Sequence, residues 1–232
     1  MGLLMMDIMF LSAHPDDAEF GMGGTYLKLS RRYECINIVL TLGESGTYGT
    51  PEERRSEVQA AARYAGAEIE ILDFKDNHVE DNAENAKILA AIIRKYQPKI
   101  IFAPYHTGKS SHTEGMSHPD HTSLGSLALK AARFAKFKNA KIAGKEHTIS
   151  KIIYYMVPHF MQPTMIVDIT AIIDDLKRLW SKHKTQLQAR NGKIEDILLS
   201  SRHHLGMIYN IEYAEGFITE PIRMKEEWIL EI

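Results

Sequence analysis

Short runs rich in β-branched residues alternate with amphipathic stretches along most of the chain, and this alternation constrains the fold more than any other feature. The runs are Asp7–Ser12, Cys35–Leu42, Glu68–Leu72, Lys99–Ala103 and Lys151–Val157. Bounded by turn residues, such runs read as buried strands. Between them lie the helical stretches Glu19–Tyr33, Glu52–Ala65, Glu84–Tyr96 and Asp120–Phe134. In the third of these, Ile88, Leu89, Ile92 and Ile93 form one apolar face, and Pro98 follows its end. Strand–helix alternation of this kind implies a parallel sheet covered on both faces. The expected fold is therefore α/β: a Rossmann-like three-layer fold with a mostly parallel sheet and a C-terminal extension. In that extension Ile172, Ile173, Leu176, Leu179, Trp180 and Leu187 keep a 3.6-residue period, predicting one more long helix. No low-complexity linker or internal repeat divides the sequence, so residues 1–232 are read as one domain.

Composition removes several function classes. A single cysteine among 232 residues excludes a disulfide framework and a multi-cysteine zinc site, and it suits a reducing compartment. A formal net charge of −2 gives no global reason to expect nucleic acid as a partner. No run reaches the roughly 18 apolar residues of a membrane span. The apolar start, Met1 to Ala13, has no basic region and is interrupted by Asp7, so it reads as a tail and a strand rather than a secretory signal. Met6 stands where myristoylation needs Ser or Thr. The expected location is cytoplasmic.

The chemistry sits at two strand ends. The first strand runs directly into Ala13-His14-Pro15-Asp16-Asp17, and the loop after the fourth carries Ser117-His118-Pro119-Asp120-His121. In an open sheet of order 3-2-1-4-5, strands one and four are neighbours whose following helices lie on opposite faces. The crevice outside their carboxyl ends is the topological switch point, where such folds bind ligands. The two His-Pro-Asp segments would then face each other across one cleft. His14, Asp17 and His121 supply two imidazoles and a carboxylate, which leaves one position of a catalytic zinc site open for water. Asp16, a carboxylate not used as ligand, is placed to take a proton from that water. His118 would stabilise an oxyanion and protonate a leaving amine, with Asp120 orienting its ring.

One His-Pro-Asp segment alone is more economically read as a turn and helix cap. Two of them, both at strand ends and both with further ligand-type residues, favour a metal site. The same ligand set is also the facial triad of a mononuclear non-haem iron oxygenase, and a binding module without turnover is a third reading. Gly21-Met22-Gly23-Gly24 lacks the dinucleotide spacing, and Gly43-Glu44-Ser45-Gly46 lacks the serine-hydrolase frame. The glycines after the first strand instead suit close packing of the helix. His78, His106 and His112 are expected to border the cleft, and the remaining histidines of the eleven to be incidental.

Ala13–Thr25 (AHPDDAEFGMGGT) resembles the signature of the LmbE-like, or PIG-L, family of zinc-dependent N-acetyl-sugar deacetylases, and Ser117–His121 its second metal motif. Glu44–Gly66, with Arg54 and Glu57, resembles the family's loop and helix. Tyr213–Phe217 (YAEGF) resembles a segment of bacillithiol-type bacterial members. The resemblance implies His14, Asp17 and His121 as ligands of Zn2+, with Fe2+ an alternative in the same site. It implies Asp16 as general base, His118 as oxyanion or general-acid residue supported by Asp120, and Arg54, Asp76 and Tyr213 as substrate-binding residues. It also implies a Rossmann-like fold, an N-acetylglucosamine-type sugar conjugate as substrate, and a homo-oligomer, trimer or hexamer. Ser117, Ser45 and Tyr48 depart from the family pattern, which implies altered substrate contacts. The loop His106–His112 is read as a lid or a surface loop.

Overall fold

The computed structural model describes residues 5–107, 118–158 and 161–220. Ser117 and most of the His106–His112 loop lie outside these. A five-stranded, all-parallel sheet has the order β3-β2-β1-β4-β5. Its strands are β1 (Ile8–Ser12), β2 (Cys35–Val39), β3 (Glu68–Ile71), β4 (Ile100–Pro104) and β5 (Lys151–Tyr155). This is the sheet and strand order that the alternation implies. Ile8 of β1 pairs with Cys35 on one side and Ile100 on the other, so β1 lies at the centre. All five of its residues are buried, as a strand covered on both faces requires.

The β1 side chains alternate between two apolar layers. Met9 and Leu11 pack with α3 (Ala83–Tyr96) and α4 (Pro119–Ala135). Ile8 and Phe10 face the other layer, built from α1 (Asp17–Ser30), α2 (Pro51–Ala65) and α5 (Ile173–Trp180). Local signals set the helix ends. Thr50 and Glu53 form a reciprocal capping box before Pro51, and Gly66 closes α2 in the left-handed region at φ 84°. The close-packing role of the α1 glycines is specific. A Cβ on Gly23 would lie 2.6 Å from Leu176, and one on Gly24 2.6 Å from Ile169.

The C-terminal extension departs from expectation. The 3.6-residue period predicts one helix to Leu187, but α5 ends at Trp180. Thr185 explains the break: its backbone N–H and its hydroxyl both donate to the Glu57 carboxylate, at 2.8 and 2.7 Å. That amide is therefore drawn away from helix geometry. Beyond a four-residue helical turn, Ala189–Gly192, comes a further helix, α6 (Ile194–Ile208). Two strands the sequence reading leaves out, β6 (Met165–Asp168) and β7 (Ala214–Phe217), form an antiparallel pair. They carry four residues each, too few for period-two alternation to stand out. In β7, buried Glu215 accepts from the backbone N–H of Gly24 and Thr25 and from Arg202 Nε at 2.9 Å. The YAEGF segment thus ties the extension to α1.

Candidate metal centre

β1 and β4 end side by side, and α1 and α4 start on opposite faces of the sheet. His14, Asp16 and Asp17 come from the first junction, His118, Asp120 and His121 from the second. The three imidazoles converge: ring centroids lie 4.5 Å apart for His14 and His118, 5.0 Å for His14 and His121, and 5.4 Å for His118 and His121. Asp17 is fixed by its Oδ2, which accepts from the backbone N–H of Ala13 at 2.7 Å and of His14 at 2.9 Å. Its Oδ1 is left to face His121 Nε2 at 2.9 Å and His14 Nδ1 at 3.7 Å. His14 Nδ1 and His121 Nε2 are 3.1 Å apart.

These three atoms suit one small cation. Ligand edges in a tetrahedral zinc site with bonds of about 2.0–2.2 Å are about 3.3–3.6 Å long. The observed edges of 2.9, 3.1 and 3.7 Å bracket that range. The opposite nitrogen of His14 is held by carboxylates, with Nε2 3.1 Å from Asp76 Oδ1 and 3.5 Å from Asp120 Oδ2. A ligating imidazole whose far nitrogen meets a carboxylate has a fixed tautomer and greater basicity. A second group, His14, His118 and Asp120, also has ligand atoms within 4.8 Å of one another. Its Asp120 Oδ2 lies 3.5 Å from His14 Nε2, the nitrogen that also faces Asp76, whereas the first set leaves Asp76 and Asp120 as supports.

The electrostatics match a cation site. Burial opposes charge on His14, yet its contacts with Asp120, Asp17 and Asp76 raise its pKa well above the usual imidazole range. Asp17 is pushed up by burial but held well below the carboxylate range by the charges and hydrogen bonds of His121 and His14. Asp76, hydrogen-bonded to His14, is brought down to about 2. Asp16 behaves oppositely: burial raises it, and the neighbouring Asp17 charge adds to that while Arg54 works against it. Asp16 occupies the N-cap position of α1 yet makes no capping hydrogen bond, so capping does not account for its carboxylate. Arg54 Nη2 lies 3.3 Å from Asp16 Oδ2, and its Nη1 donates to the Gly43 carbonyl at 3.0 Å.

His118 is a cap. Its Nδ1 accepts from the backbone N–H of Asp120 at 3.3 Å, which leaves Nε2 to carry the ring proton. Burial, followed by the charges of His14 and His121, lowers its pKa below the usual value. The Asp120 carboxylate does not support this ring as the sequence reading expects. It accepts from the backbone N–H of Asn77 at 2.8 Å and of Val79 at 3.2 Å and faces His14. The support for His118 comes from the Asp120 amide, a backbone group that side-chain chemistry in a sequence does not reveal.

A cavity of about 350 Å³ opens over the cluster, a size at the lower end of ligand pockets. Its polar end is formed by His14, Asp16, Asp17, Arg54, Asp76, His118 and His121. Its other wall is Phe20, Met156, Ile194, Ile197 and Leu198, with Arg190 also lining it. Ile194, Ile197 and Leu198 of that wall belong to the extension, and nothing in the sequence marks them as cavity residues. Tyr213, expected to bind substrate, does not line this cavity; its amide donates to Thr170 Oγ1 and its ring lies 5.5 Å from that of His203. Exposed His78 contacts the Asp76 carbonyl through Nδ1 at 2.9 Å and does not line the cavity either. Exposed His106 lies against the Tyr105 and Tyr154 rings.

His183, taken as incidental from sequence, is 1% exposed, and its Nε2 has no hydrogen-bond partner among the described residues. It sits 3.9 Å from Glu19 Oε2, and burial raises the Glu19 carboxyl to about 8. Burial, with Arg54 nearby, depresses the His183 ring to about 3, against an ordinary 6.5. Glu19, protonated in the folded chain below about 8 but in the unfolded chain only near 4.5, adds stability as pH drops. The unfolded chain binds a proton at His183 below pH 6.5 that the folded chain refuses until about 3, so this ring's own contribution to stability falls through the same window. Between pH 6.5 and 5 the loss is about 2 kcal/mol. Urea unfolding of His183→Leu at the two pH values is expected to show a net acid penalty lower by about that amount than in the unsubstituted chain, where Glu19 offsets the histidine. An unchanged penalty would show that this ring is not held neutral.

Comparison with known proteins places the chain. Over 231 residues it is 28% identical to diacetylchitobiose deacetylase of Thermococcus kodakarensis, covering 92% of this chain and 83% of that protein. Over 236 residues it is 24% identical to 4-oxalmesaconate hydratase of Pseudomonas putida, covering 89% and 86%. The solved structure of the conserved protein TT1542 from Thermus thermophilus superposes with a TM-score of 0.84 at 30% identity, covering 97% of this chain and 99% of that one. The family model described as PIG-L, GlcNAc-PI de-N-acetylase, matches residues 9–132, the stretch that carries both His-Pro-Asp segments. The chain belongs to the PIG-L family.

Proposed function

We propose that the protein is a metal-dependent hydrolase that removes the N-acetyl group from an N-acetylglucosamine-type sugar conjugate. One observation carries this reading: a two-histidine, one-carboxylate cluster shares a cavity with a carboxylate of raised pKa and a histidine whose Nε2 has no hydrogen-bond partner among the described residues. Similarity to a diacetylchitobiose deacetylase supports the acetyl-amide substrate class. His14 Nδ1, Asp17 Oδ1 and His121 Nε2 would hold Zn2+, or Fe2+ in the same site. A divalent ion there supplies Lewis-acid polarisation of the acetyl carbonyl and makes water nucleophilic near neutral pH.

The chain's own groups do the proton work. Asp16 accepts the proton of the attacking water; its raised pKa makes it a better base than an ordinary carboxylate, and Arg54 holds its orientation. His118 donates its Nε2 proton as a hydrogen bond to the oxygen that becomes negative at the tetrahedral carbon. Because burial keeps that ring neutral, giving its proton away outright would leave an imidazolate. The proton on the leaving nitrogen is therefore best returned by Asp16. One water is consumed, the C–N bond breaks, and acetate and the free amine leave. Asp76 and Asp120 position His14 and are not substrate contacts in this scheme.

A panel of N-acetylglucosamine glycosides, with amine and acetate quantified separately, tests the substrate class. Equimolar amine and acetate are expected from at least one member. Intact substrates throughout would remove it.

A further inference from the structure

Beside the catalytic cavity lies a second one of about 580 Å³. Phe20 and Met156 line both, so the two adjoin. Helix α6 runs along both as a single wall. Ile194, Ile197 and Leu198 face the first cavity, and Leu205 and Ile208 face the second. The spacing is that of one helical face. Ile197 is 41% exposed and Ile208 63%, so this apolar stripe is open to whatever enters the groove.

Charge in the second cavity is internally spent. Arg202 Nε donates to Glu215 Oε1 at 2.9 Å, and Arg202 Nη1 and Nη2 donate to the Leu198 and Phe20 carbonyls at 3.2 and 2.9 Å. The Glu215 carboxylate also takes the Gly24 and Thr25 amides. The rest of the wall is apolar or neutral, including Met161, Pro163 and Tyr209, with Gln162, Ser201 and His204 as its polar groups. Among the described residues of this wall a phosphate or carboxylate would meet no free cation; Arg190 lines the first cavity alone. An extended sugar chain would find few polar partners along α6.

We propose that this groove receives an extended, uncharged apolar aglycone, alkyl or aryl, attached to the N-acetyl sugar whose acetamide lies over the metal cluster. This rests on the deacetylase reading and adds the substrate class to it. Adjacency to the catalytic cavity, across Phe20 and Met156 and along one face of α6, favours an occupant that is part of the substrate rather than a separate ligand. The specificity-determining residues are Phe20, Met156, Ile197, Leu205 and Ile208.

The test is kcat/KM for the methyl, butyl and hexyl glycosides of N-acetylglucosamine, in both anomers, beside N,N'-diacetylchitobiose and a hexyl analogue ending in a carboxylate. Each buried methylene is expected to raise kcat/KM about three- to fourfold, so burial of three of the five methylenes that separate methyl from hexyl gives about 30-fold or more in one anomer. Ile208→Asp is expected to bring the hexyl-to-methyl ratio close to one, and Ile208→Leu to keep it. A flat series, or preference for diacetylchitobiose or the carboxylated chain over hexyl, overturns the inference while acetate release leaves the deacetylase reading standing. If Ile208→Asp dissociates an oligomer and the ratio stays unchanged, the stripe is an interface between copies and the inference falls. Should no glycoside release acetate, calorimetry with hexyl and methyl glucoside separates the two readings. Hexyl-selective binding lost in Ile208→Asp retains the groove and sinks the deacetylase; no binding sinks the groove as well.

Discussion

Asp16→Asn is expected to lower kcat by about 10³-fold or more, with KM and metal content close to those of the unsubstituted enzyme. The amide keeps the shape of the carboxylate and a contact for Arg54 but cannot accept the water proton. Asp16 contributes no atom to the His14, Asp17, His121 set, so the ligands are untouched. Metal analysis and steady-state kinetics on the same preparation check this. Loss of metal along with activity would make Asp16 a ligand, and near-normal turnover would remove it from the chemistry.

The next largest effect falls on His118. His118→Ala is expected to cost about 10²–10³-fold in kcat with little change in KM, because its hydrogen bond strengthens only as charge develops on the carbonyl oxygen. Deleting the ring also orphans the Asp120 amide that Nδ1 accepts from, so a shifted α4 start would contribute to the loss. His118→Gln separates the two contributions. Its side-chain amide can still donate, and a recovery of tenfold or more over Ala assigns the loss to the donor. A drop in kcat that is largest in the acid range, where the ring is protonated, and vanishes as pH rises would favour His118 as an acid and contradict the neutral-donor assignment.

Much of the site is legible in the sequence. In a sheet of order 3-2-1-4-5, one of the orders strand–helix alternation allows and the one observed, β1 and β4 are neighbours, and the two His-Pro-Asp segments follow those strands, so their convergence needs no side-chain detail. What stays hidden has physical causes. Asp76, carried over by resemblance as a substrate contact, instead reaches His14 from the loop after β3, a role that no motif marks. The Asp120 carboxylate turns to the Asn77 and Val79 amides, a choice made by neighbouring backbone groups rather than by its own sequence context. His183 looks like a surface histidine between two lysines, yet the break after Trp180 buries it. The apolar wall of α6 faces the cavity only because Glu215 and Arg202 tie the extension to α1. Side-chain ties between residues so distant in sequence leave no periodic trace. Tyr213 shows the converse: a motif position carried over by resemblance, whose side chain the fold turns elsewhere.

The central claim is that one divalent ion held by His14, Asp17 and His121 makes this chain an N-deacetylase. The most direct measurement is a titration of chelator-stripped protein with Zn2+, and separately with Fe2+, following acetate release from an N-acetylglucosamine glycoside. Turnover is predicted to be absent without metal and to rise to a plateau at one equivalent per chain, with Asp17→Ala showing neither tight uptake nor turnover. Full acetate release from the stripped protein would contradict the claim. So would metal-dependent hydration of a 4-oxalmesaconate-type substrate without any acetate release.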